Sequence, residues 1–178
     1  AQGLARAAAK AGAQIFEATR VAKVSGSAAT GFGLGCAGGA TVTADIVILA
    51  GNGYLDGLDT EVEARVMPID NYILATAPIG AGVPGGLIPG GEAVSDTRFV
   101  VYYFRPSADG RLVFGGGETW SRHQPADLAG FVRKHLARIY PDLGGVAIDH
   151  AWGGTLAITV TRLPFIRRLR PGVYVAAG

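Results

Sequence analysis

Two groups of residues in this sequence have types and spacings suited to chemistry at a ligand. Trp152 is followed by Gly153 and Gly154, and glycines beside an aromatic residue let the backbone come close to a flat or bulky molecule. Tyr103 and Arg105 are two residues apart in an apolar segment, so a strand would put both on one face. That face could orient a substrate through a hydroxyl and a guanidinium group. Packing in a core is the alternative for Trp152 and for Tyr103.

Other catalytic patterns are absent or incomplete. Gly51-Asn52-Gly53 follows an apolar run, but Asp56 stands where the dinucleotide fingerprint Gly-x-Gly-x-x-Gly needs its third glycine. An NAD-dependent dehydrogenase is therefore disfavoured, although the turn can still lie close to a ligand at the end of a strand. Three separated histidines and the lone Cys36 predict neither a metal site nor an internal disulfide. Isolated carboxylates such as Glu118 and Asp149 are more typical of solvated or paired groups than of acid–base catalysts.

Composition limits the class of protein. The chain of 178 residues is 49% hydrophobic and has a mean hydropathy of +0.30, which predicts a folded core. A net charge of +2 is too small to indicate nucleic-acid binding. No apolar run reaches the ~20 residues of a membrane span, and no secretory signal pattern is present. We therefore expect a cytoplasmic protein. The arginines at 162, 167, 168 and 170 form either a solvated face or a contact with an anion or a further segment.

The elements that would position these groups begin with an α/β pattern. Residues 3–11 predict a helix that ends at Gly12, and 31–36 and 41–44 predict two short strands. The run 45–50 is apolar throughout, which is typical of a parallel strand buried on both faces.

The following segment predicts an antiparallel sheet with one helix. Strands are predicted over 66–75, 99–105, 111–114 and 146–152. Asp109-Gly110 is a hairpin signal, and apolar residues at helical spacing predict a helix over 125–140. Tyr102 and Tyr103 are adjacent and must point to opposite faces of their strand.

These patterns predict a mixed α/β fold, in which part of an α/β domain carries an inserted antiparallel-sheet domain. The predicted domains are residues 1–56 for the first part, 57–148 for the sheet, and 149–178 for the return to the first domain. A family resemblance further implies that the first domain is FAD-binding and Rossmann-like and that the sheet is a substrate domain.

Four segments carry that resemblance, namely Pro68–Thr76, Ala93–Phe99, Ser107–Glu118 and Ala151–Thr159. The Gly-Gly-Gly-Glu and Trp-Gly-Gly motifs within them are fairly specific in combination. With these segments the chain resembles FAD-dependent oxidoreductases of the D-amino-acid, glycine and sarcosine oxidase type, over essentially its whole length.

The resemblance implies an FAD site and assigns residues to it. One set would lie toward the adenine and pyrophosphate, namely Val21, Ala50 and Gly51. A second set would lie near the isoalloxazine ring, namely Trp152, Gly153, Thr159 and Gly178. Tyr103, Arg105 and Trp152 are the catalytic candidates. The implied chemistry is hydride removal from a C–H bond beside an amine, hydrolysis of the imine to an aldehyde and ammonia, and reoxidation of the flavin by dioxygen.

Two departures from the family pattern qualify this expectation. Leu156 stands where members that act on alpha-amino acids often carry a carboxylate-binding arginine, which favours an amine without an adjacent carboxylate. The nucleotide fingerprint expected near the family's N-terminus and a glycine-rich segment after Gly178 are absent. We therefore expect the chain to lack an N-terminal part of the same polypeptide, to bind FAD weakly or not at all alone, and to be inactive alone.

A non-catalytic function is the competing hypothesis. The glycine-rich and proline-rich segment 80–91 could be a loop by which a stand-alone sheet domain binds a partner or a small ligand.

Overall fold

The computed structural model of the protein describes residues 2–79, 87–120 and 123–178. Within these ranges the helices are α1 (Gln2–Lys10), α2 (Thr60–Glu63) and α3 (Leu128–Ile139). The first strands are β1 (Val21–Ser27), β2 (Gly31–Cys36), β3 (Thr41–Ala44), β4 (Val47–Leu49), β5 (Val66–Thr76) and β6 (Val94–Ser95). The later strands are β7 (Tyr103–Pro106), β8 (Leu112–Thr119), β9 (Ile148–Thr159), β10 (Phe165–Arg170) and β11 (Val173–Ala177). Short 3₁₀ turns span Asn52–Tyr54 and Pro141–Leu143.

The strands form three sheets, and their arrangement confirms the mixed α/β class. Strands β1, β2 and β3 make an antiparallel meander. A second sheet has the order β10-β11-β4, in which β11 and β4 are parallel. The largest is antiparallel, with the order β6-β7-β8-β5-β9. The predicted parallel strand and the predicted antiparallel sheet are therefore both present.

Helix α3 covers one face of the five-stranded sheet and leaves the other face open. Its Val132 and Leu136 are fully buried, and they pack in one cluster with Tyr72, Leu74 and Phe114 of the sheet. Full burial of a side chain of this size stabilises the fold by about 1.5–3 kcal/mol. This packing explains the apolar period seen in the sequence, and it leaves the opposite face of the sheet available for a site.

Helix α3 begins and ends where its flanking residues satisfy the free backbone groups. The Asp127 side chain accepts a hydrogen bond of 2.8 Å from the Gly130 N–H, as expected of an N-cap. The helix stops before Pro141, because proline cannot continue it.

Three strands differ from the sequence-based prediction in length. Strand β7 begins at Tyr103 and not at residue 99. Strands β8 and β9 continue through their glycines to Thr119 and Thr159, although both were expected to stop before them. At Gly115 and Gly153 the rings of Tyr103 and Tyr72, from neighbouring strands, occupy the space that a side chain would fill. The predicted domain boundaries stay a prediction, and β9 crosses the second of them.

Strand β4 has the predicted direction but not the predicted burial. Val47 and Leu49 are buried, whereas Ile48 is 66% exposed. The strand lies at the edge of its sheet, and one of its faces is uncovered in the described part of the chain. The prediction of burial on both faces was therefore wrong for these residues. None of the described helices combines the length and the apolar character that crossing a membrane requires.

Candidate functional site

A large cavity of about 1040 Å³ lies over the open face of the five-stranded sheet. Its wall is mainly apolar and is formed in part by the first half of β5, the end of β9 and Gly178. Three residues predicted as site residues line it, namely Tyr103, Thr159 and Gly178. A mainly apolar cavity of this size with a few polar groups is typical of a small-molecule or cofactor site.

Tyr103 is held flat against the sheet by the glycine beside it. In the β7–β8 pairing Tyr103 is opposite Gly115, and a Cβ atom on Gly115 would overlap the tyrosine ring. The Tyr103 hydroxyl donates a hydrogen bond to Oδ1 of Asn71. Tyr102 points the other way, is 4% exposed, and packs against Phe114. The predicted alternation of the two tyrosines is therefore present, with Tyr103 on the cavity side.

A β-bulge brings Glu118 to the same face as Tyr103. Asn71 is opposite Glu118 and Ile73 is opposite Gly115, so β8 carries an extra residue between these pairs. In a regular strand Gly115 and Glu118, three residues apart, would face opposite sides. The bulge removes that difference, and Glu118 lines the cavity next to Asn71. Gly117 within the bulge has a φ of +87°, a conformation that glycine adopts without strain.

The three polar side chains Tyr103, Asn71 and Glu118 form one hydrogen-bonded group, called here the polar triad. The Glu118 carboxylate accepts a hydrogen bond from the Asn71 amide. Burial raises the pKa of Glu118, while the Arg162 guanidinium and the Asn71 hydrogen bond act in the opposite direction. Burial, together with the Glu118 charge, also raises the pKa of Tyr103 above 10.0. Tyr103 is therefore a neutral hydroxyl at physiological pH.

Aromatic side chains stand beside the polar triad. Phe99 and Trp120 line the same cavity and are 69% and 63% exposed. The guanidinium carbon of Arg162 lies 4.0 Å from the centre of the Phe99 ring, in a cation–π contact. This part of the wall therefore already holds a cation of the protein itself.

Sequence reasoning did not identify Asn71 or Arg162 as site residues, and it treated Glu118 as an isolated carboxylate. Asp70 and Asn71 interrupt the apolar run of this strand, which is a signal that the sequence itself offers, and the structure buries Asn71 to 6% exposure. The run of three glycines before Glu118 is a second signal, since glycine often marks a bulge.

A second, smaller cavity of about 310 Å³ contains Val21, Ala50 and Gly51. These are the residues that the family resemblance assigns to the adenine and pyrophosphate end, and they come from the start of β1 and the carboxyl end of β4. The carboxyl end of a parallel strand is the usual place for a nucleotide in α/β folds. Gly51 here leads into a 3₁₀ turn and not an α-helix, so the geometry of a dinucleotide fingerprint is not formed at this turn.

Trp152 and Gly153 lie on opposite faces of β9, and both are outside these two cavities. Trp152 is 44% exposed and is opposite Ile73 on the open side of the sheet. Gly153 faces the core, because a Cβ there would lie 2.5 Å from the ring of Tyr72. The absence of a side chain at Gly153 thus makes room for a tyrosine of the protein, while Trp152 remains available to a ligand.

Arg105 is not brought together with Tyr103. It is exposed, and its Nε donates a 3.3 Å hydrogen bond to the Pro106 carbonyl. Arg105 lies two residues, or about 7 Å, further along the strand than Tyr103, so it is closer to the β7–β8 hairpin. Of the two residues expected to line one pocket, Tyr103 lines the large cavity and Arg105 does not, and a catalytic role for Arg105 stays a prediction.

The positions and the polarity of the residues in the two cavities fit FAD. The smaller cavity offers backbone at Ala50 and Gly51 beside a parallel strand, and the larger offers a mainly apolar wall closed by Thr159 and Gly178. Gly178 has a φ of +109°, so the chain bends there without a side chain. Among residues 2–79, 87–120 and 123–178, no three His, Cys, Asp or Glu side chains are grouped as metal ligands would be.

Comparison with known proteins identifies relatives along the whole chain. A family model described as FAD dependent oxidoreductase matches residues 1–178. The probable oxidoreductase OrdL of Rhizobium meliloti (strain 1021) is 44% identical over 176 residues, which are 99% of this chain and 40% of that protein. The gamma-glutamylputrescine oxidoreductase of Escherichia coli (strain K12) is 36% identical over 138 residues, which are 77% of this chain and 32% of that protein.

A solved structure has the same fold. The glycine oxidase from Geobacillus kaustophilus superimposes with a TM-score of 0.76 at 26% identity, over 99% of this chain and 47% of that chain. The chain thus spans 40% or less of the length of the two curated relatives named above.

Proposed function

This chain belongs to the family of FAD-dependent oxidoreductases, and on that premise we propose that the complete protein oxidises an amine to an imine. The imine then hydrolyses to an aldehyde and ammonia, and dioxygen is the final electron acceptor. The observation that carries the choice of an amine is Leu156, which lines the large cavity at the position that the family resemblance gives to a carboxylate-binding arginine. Leucine cannot form the bidentate pair that holds a carboxylate. The substrate is therefore a primary or secondary amine without an adjacent carboxylate.

The proposed roles divide the site residues between the two ends of FAD. The adenine and pyrophosphate end is assigned to Val21, Ala50 and Gly51. The isoalloxazine end is assigned to Trp152, Thr159 and Gly178. Gly153 is next to Trp152 in sequence, but it faces the core. Tyr103 orients the substrate. The domain division at 56/57 and 148/149 belongs to the same proposal.

When bound, FAD would provide the acceptor for the hydride that leaves the carbon beside the amine. The residues of this chain bind the substrate, orient it and reduce its contact with water. The neutral Tyr103 hydroxyl is held by Asn71, so its ring and oxygen are fixed before substrate arrives. Hydride loss needs an uncharged amine, and an apolar wall favours that form because burial lowers the pKa of an ammonium group.

The alternative of a non-catalytic sheet domain is set aside because the chain belongs to a family of enzymes. The loop proposed for it, residues 80–91, lies largely outside the described residues.

The function is tested first with the protein made from the complete reading frame. We expect a yellow protein that releases FAD on acid precipitation. Anaerobic addition of amines should bleach its visible spectrum, and air should restore it with formation of peroxide. The screen begins with gamma-glutamylated diamines, which the name of the Escherichia coli relative supports, and with simple primary amines. A flavoprotein bleached by alpha-amino acids and by no amine would contradict the proposal.

Replacing Tyr103 by phenylalanine in the complete holoenzyme should lower kcat/KM for the amine about tenfold. That factor corresponds to one hydrogen bond of ordinary strength, here the bond proposed between the substrate and the Tyr103 hydroxyl that Asn71 orients. Steady-state kinetics with the best amine from the screen provides the measurement. Arg105→Met is the comparison, and we expect it to change kcat/KM less than about twofold because Arg105 is exposed. Equal losses of kcat/KM in the two variants would show that Arg105 also contributes to the site.

A further inference from the structure

Glu118 is a carboxylate in the wall of the large cavity. It is only partly exposed. The ion pairs within 4 Å that residues 2–79, 87–120 and 123–178 form among themselves do not include it. Its one described hydrogen bond comes from the neutral amide of Asn71. A partly desolvated carboxylate that has no described cation within 4 Å can be stabilised further by a ligand cation.

The other charged side chains around this cavity are engaged elsewhere. Arg65 pairs with Glu61 of the same helical segment, at 3.6 Å. Glu63 accepts a hydrogen bond from the Gly57 N–H. Arg162 is placed over the Phe99 ring, from where it favours the ionised form of Glu118 without a contact within 4 Å. Glu118 is therefore the anionic group available to a ligand at the tyrosine end of the cavity.

Aromatic faces beside Glu118 add a second attraction for a cation. Tyr103 and Trp120 line the cavity beside Glu118, whereas the nearby Phe99 ring already holds the Arg162 guanidinium. A carboxylate surrounded by aromatic rings is the chemistry that recognises ammonium groups. A carboxylate ligand would meet repulsion from Glu118 and no bidentate partner at Leu156.

We infer that Glu118 is the specificity-determining residue of the site: its carboxylate binds the incoming protonated amine through an ion pair and accepts the N–H proton of that amine before hydride loss, which leaves the amine uncharged. This inference rests on the proposed amine oxidation and deepens it, because it assigns the selection of a cationic ligand to one side chain. Asn71 acts through Glu118 as a positioning residue, since its amide holds the carboxylate on the cavity side.

The test measures binding without turnover. The probe is 4-hydroxybutyltrimethylammonium, whose quaternary nitrogen keeps its charge at every pH and has no lone pair for oxidation. Its uncharged carbon analogue is 5,5-dimethylhexan-1-ol. Titration calorimetry on the holoenzyme should show the cation binding at least about tenfold more tightly than the alcohol. Glu118→Gln should remove that preference and leave the affinity for the alcohol unchanged.

The pH dependence provides a second measurement that needs no variant. A carboxylate attracts the cation only when ionised, so affinity for the probe should fall as pH decreases through the pKa of Glu118. Because burial raises this pKa, the fall should begin above the pH at which an ordinary glutamate titrates, despite the opposing effect of Arg162. Tyr103 stays protonated across this range because its pKa is raised above 10.0. Glu118→Gln should give a flat profile.

Glu17→Gln is the matched control, because Glu17 is exposed and lies outside both cavities. It should keep the preference of the native protein for the cation. A Glu118→Gln protein with intact flavin content and an unchanged ratio of the two affinities would overturn the inference, and so would a pH-independent affinity of the native protein. Bleaching of the native flavin by amines is scored separately, so the proposed function can stand when this inference fails.

Discussion

Replacing Gly115 by alanine should lower kcat/KM of the complete holoenzyme about a hundredfold, the scale of loss expected when a positioning group moves by about 1 Å. The added Cβ would overlap the ring of Tyr103, which lies flat over this glycine. Tyr103 faces the cavity, so the ring can swing away from the sheet rather than strain the core. Its hydrogen bond to Asn71 is then lost, and the ring occupies part of the cavity in which we propose that the substrate binds.

The measurement for Gly115→Ala combines steady-state kinetics with flavin content and thermal unfolding. Gly35→Ala is the matched control, because Gly35 is also in a strand and its added Cβ would meet only the Lys23 Cβ at 4.0 Å. We expect normal kinetics for the control. A Gly115→Ala protein with full flavin content and native kcat/KM would show that the position of Tyr103 does not matter to the reaction.

Replacing Gly153 by alanine should destabilise the protein by about 1–3 kcal/mol, the usual cost of forcing an extra carbon into a packed core. The added Cβ would lie 2.5 Å from the Tyr72 ring. Tyr72 is fully buried, packs edge-on against Phe131, and shares a 2.7 Å hydrogen bond with the Thr119 hydroxyl. Unlike Tyr103, this ring has no cavity into which it can move, so the effect falls on stability.

Gly154→Ala is the control that separates the two neighbouring glycines. Its Cβ would meet only the Tyr54 hydroxyl at 3.7 Å, an ordinary contact. We expect the free energy of unfolding of this variant to stay within about 0.5 kcal/mol of the native value. The midpoints of denaturant and thermal unfolding of both variants check the prediction. Equal midpoints would contradict the packing role of Gly153.

Local patterns in the sequence predicted much of the fold. The helical period predicted α3, because its apolar residues must all meet one face of the sheet. Asp109-Gly110 predicted the β7–β8 hairpin, because such pairs adopt the tight turn that this connection needs. The alternation of side chains along a strand predicted that Tyr102 and Tyr103 face opposite sides. These features depend on neighbours in sequence, so sequence spacing is sufficient to find them.

The site depended on contacts between distant residues. Sequence placed Arg105 with Tyr103 because it gave their shared face, but it could not give the distance of each from the cavity. It did not place Glu118 with Tyr103, because the bulge that turns both to one side exists only in the pairing of β8 with β5. The glycine next to Trp152 suggested room for a ligand, whereas the Tyr72 ring fills that room.

By itself the sequence determined the family and the mixed α/β class. It also named Val21, Ala50 and Gly51, which lie together in one cavity, and their contact with FAD stays a prediction. Motifs and periods are local, and they carry that information directly. Only the tertiary structure decided which side chains surround the other cavity and which glycines serve an internal ring. Those outcomes follow from strand register and side-chain volume across positions far apart in the chain, and no local pattern records them.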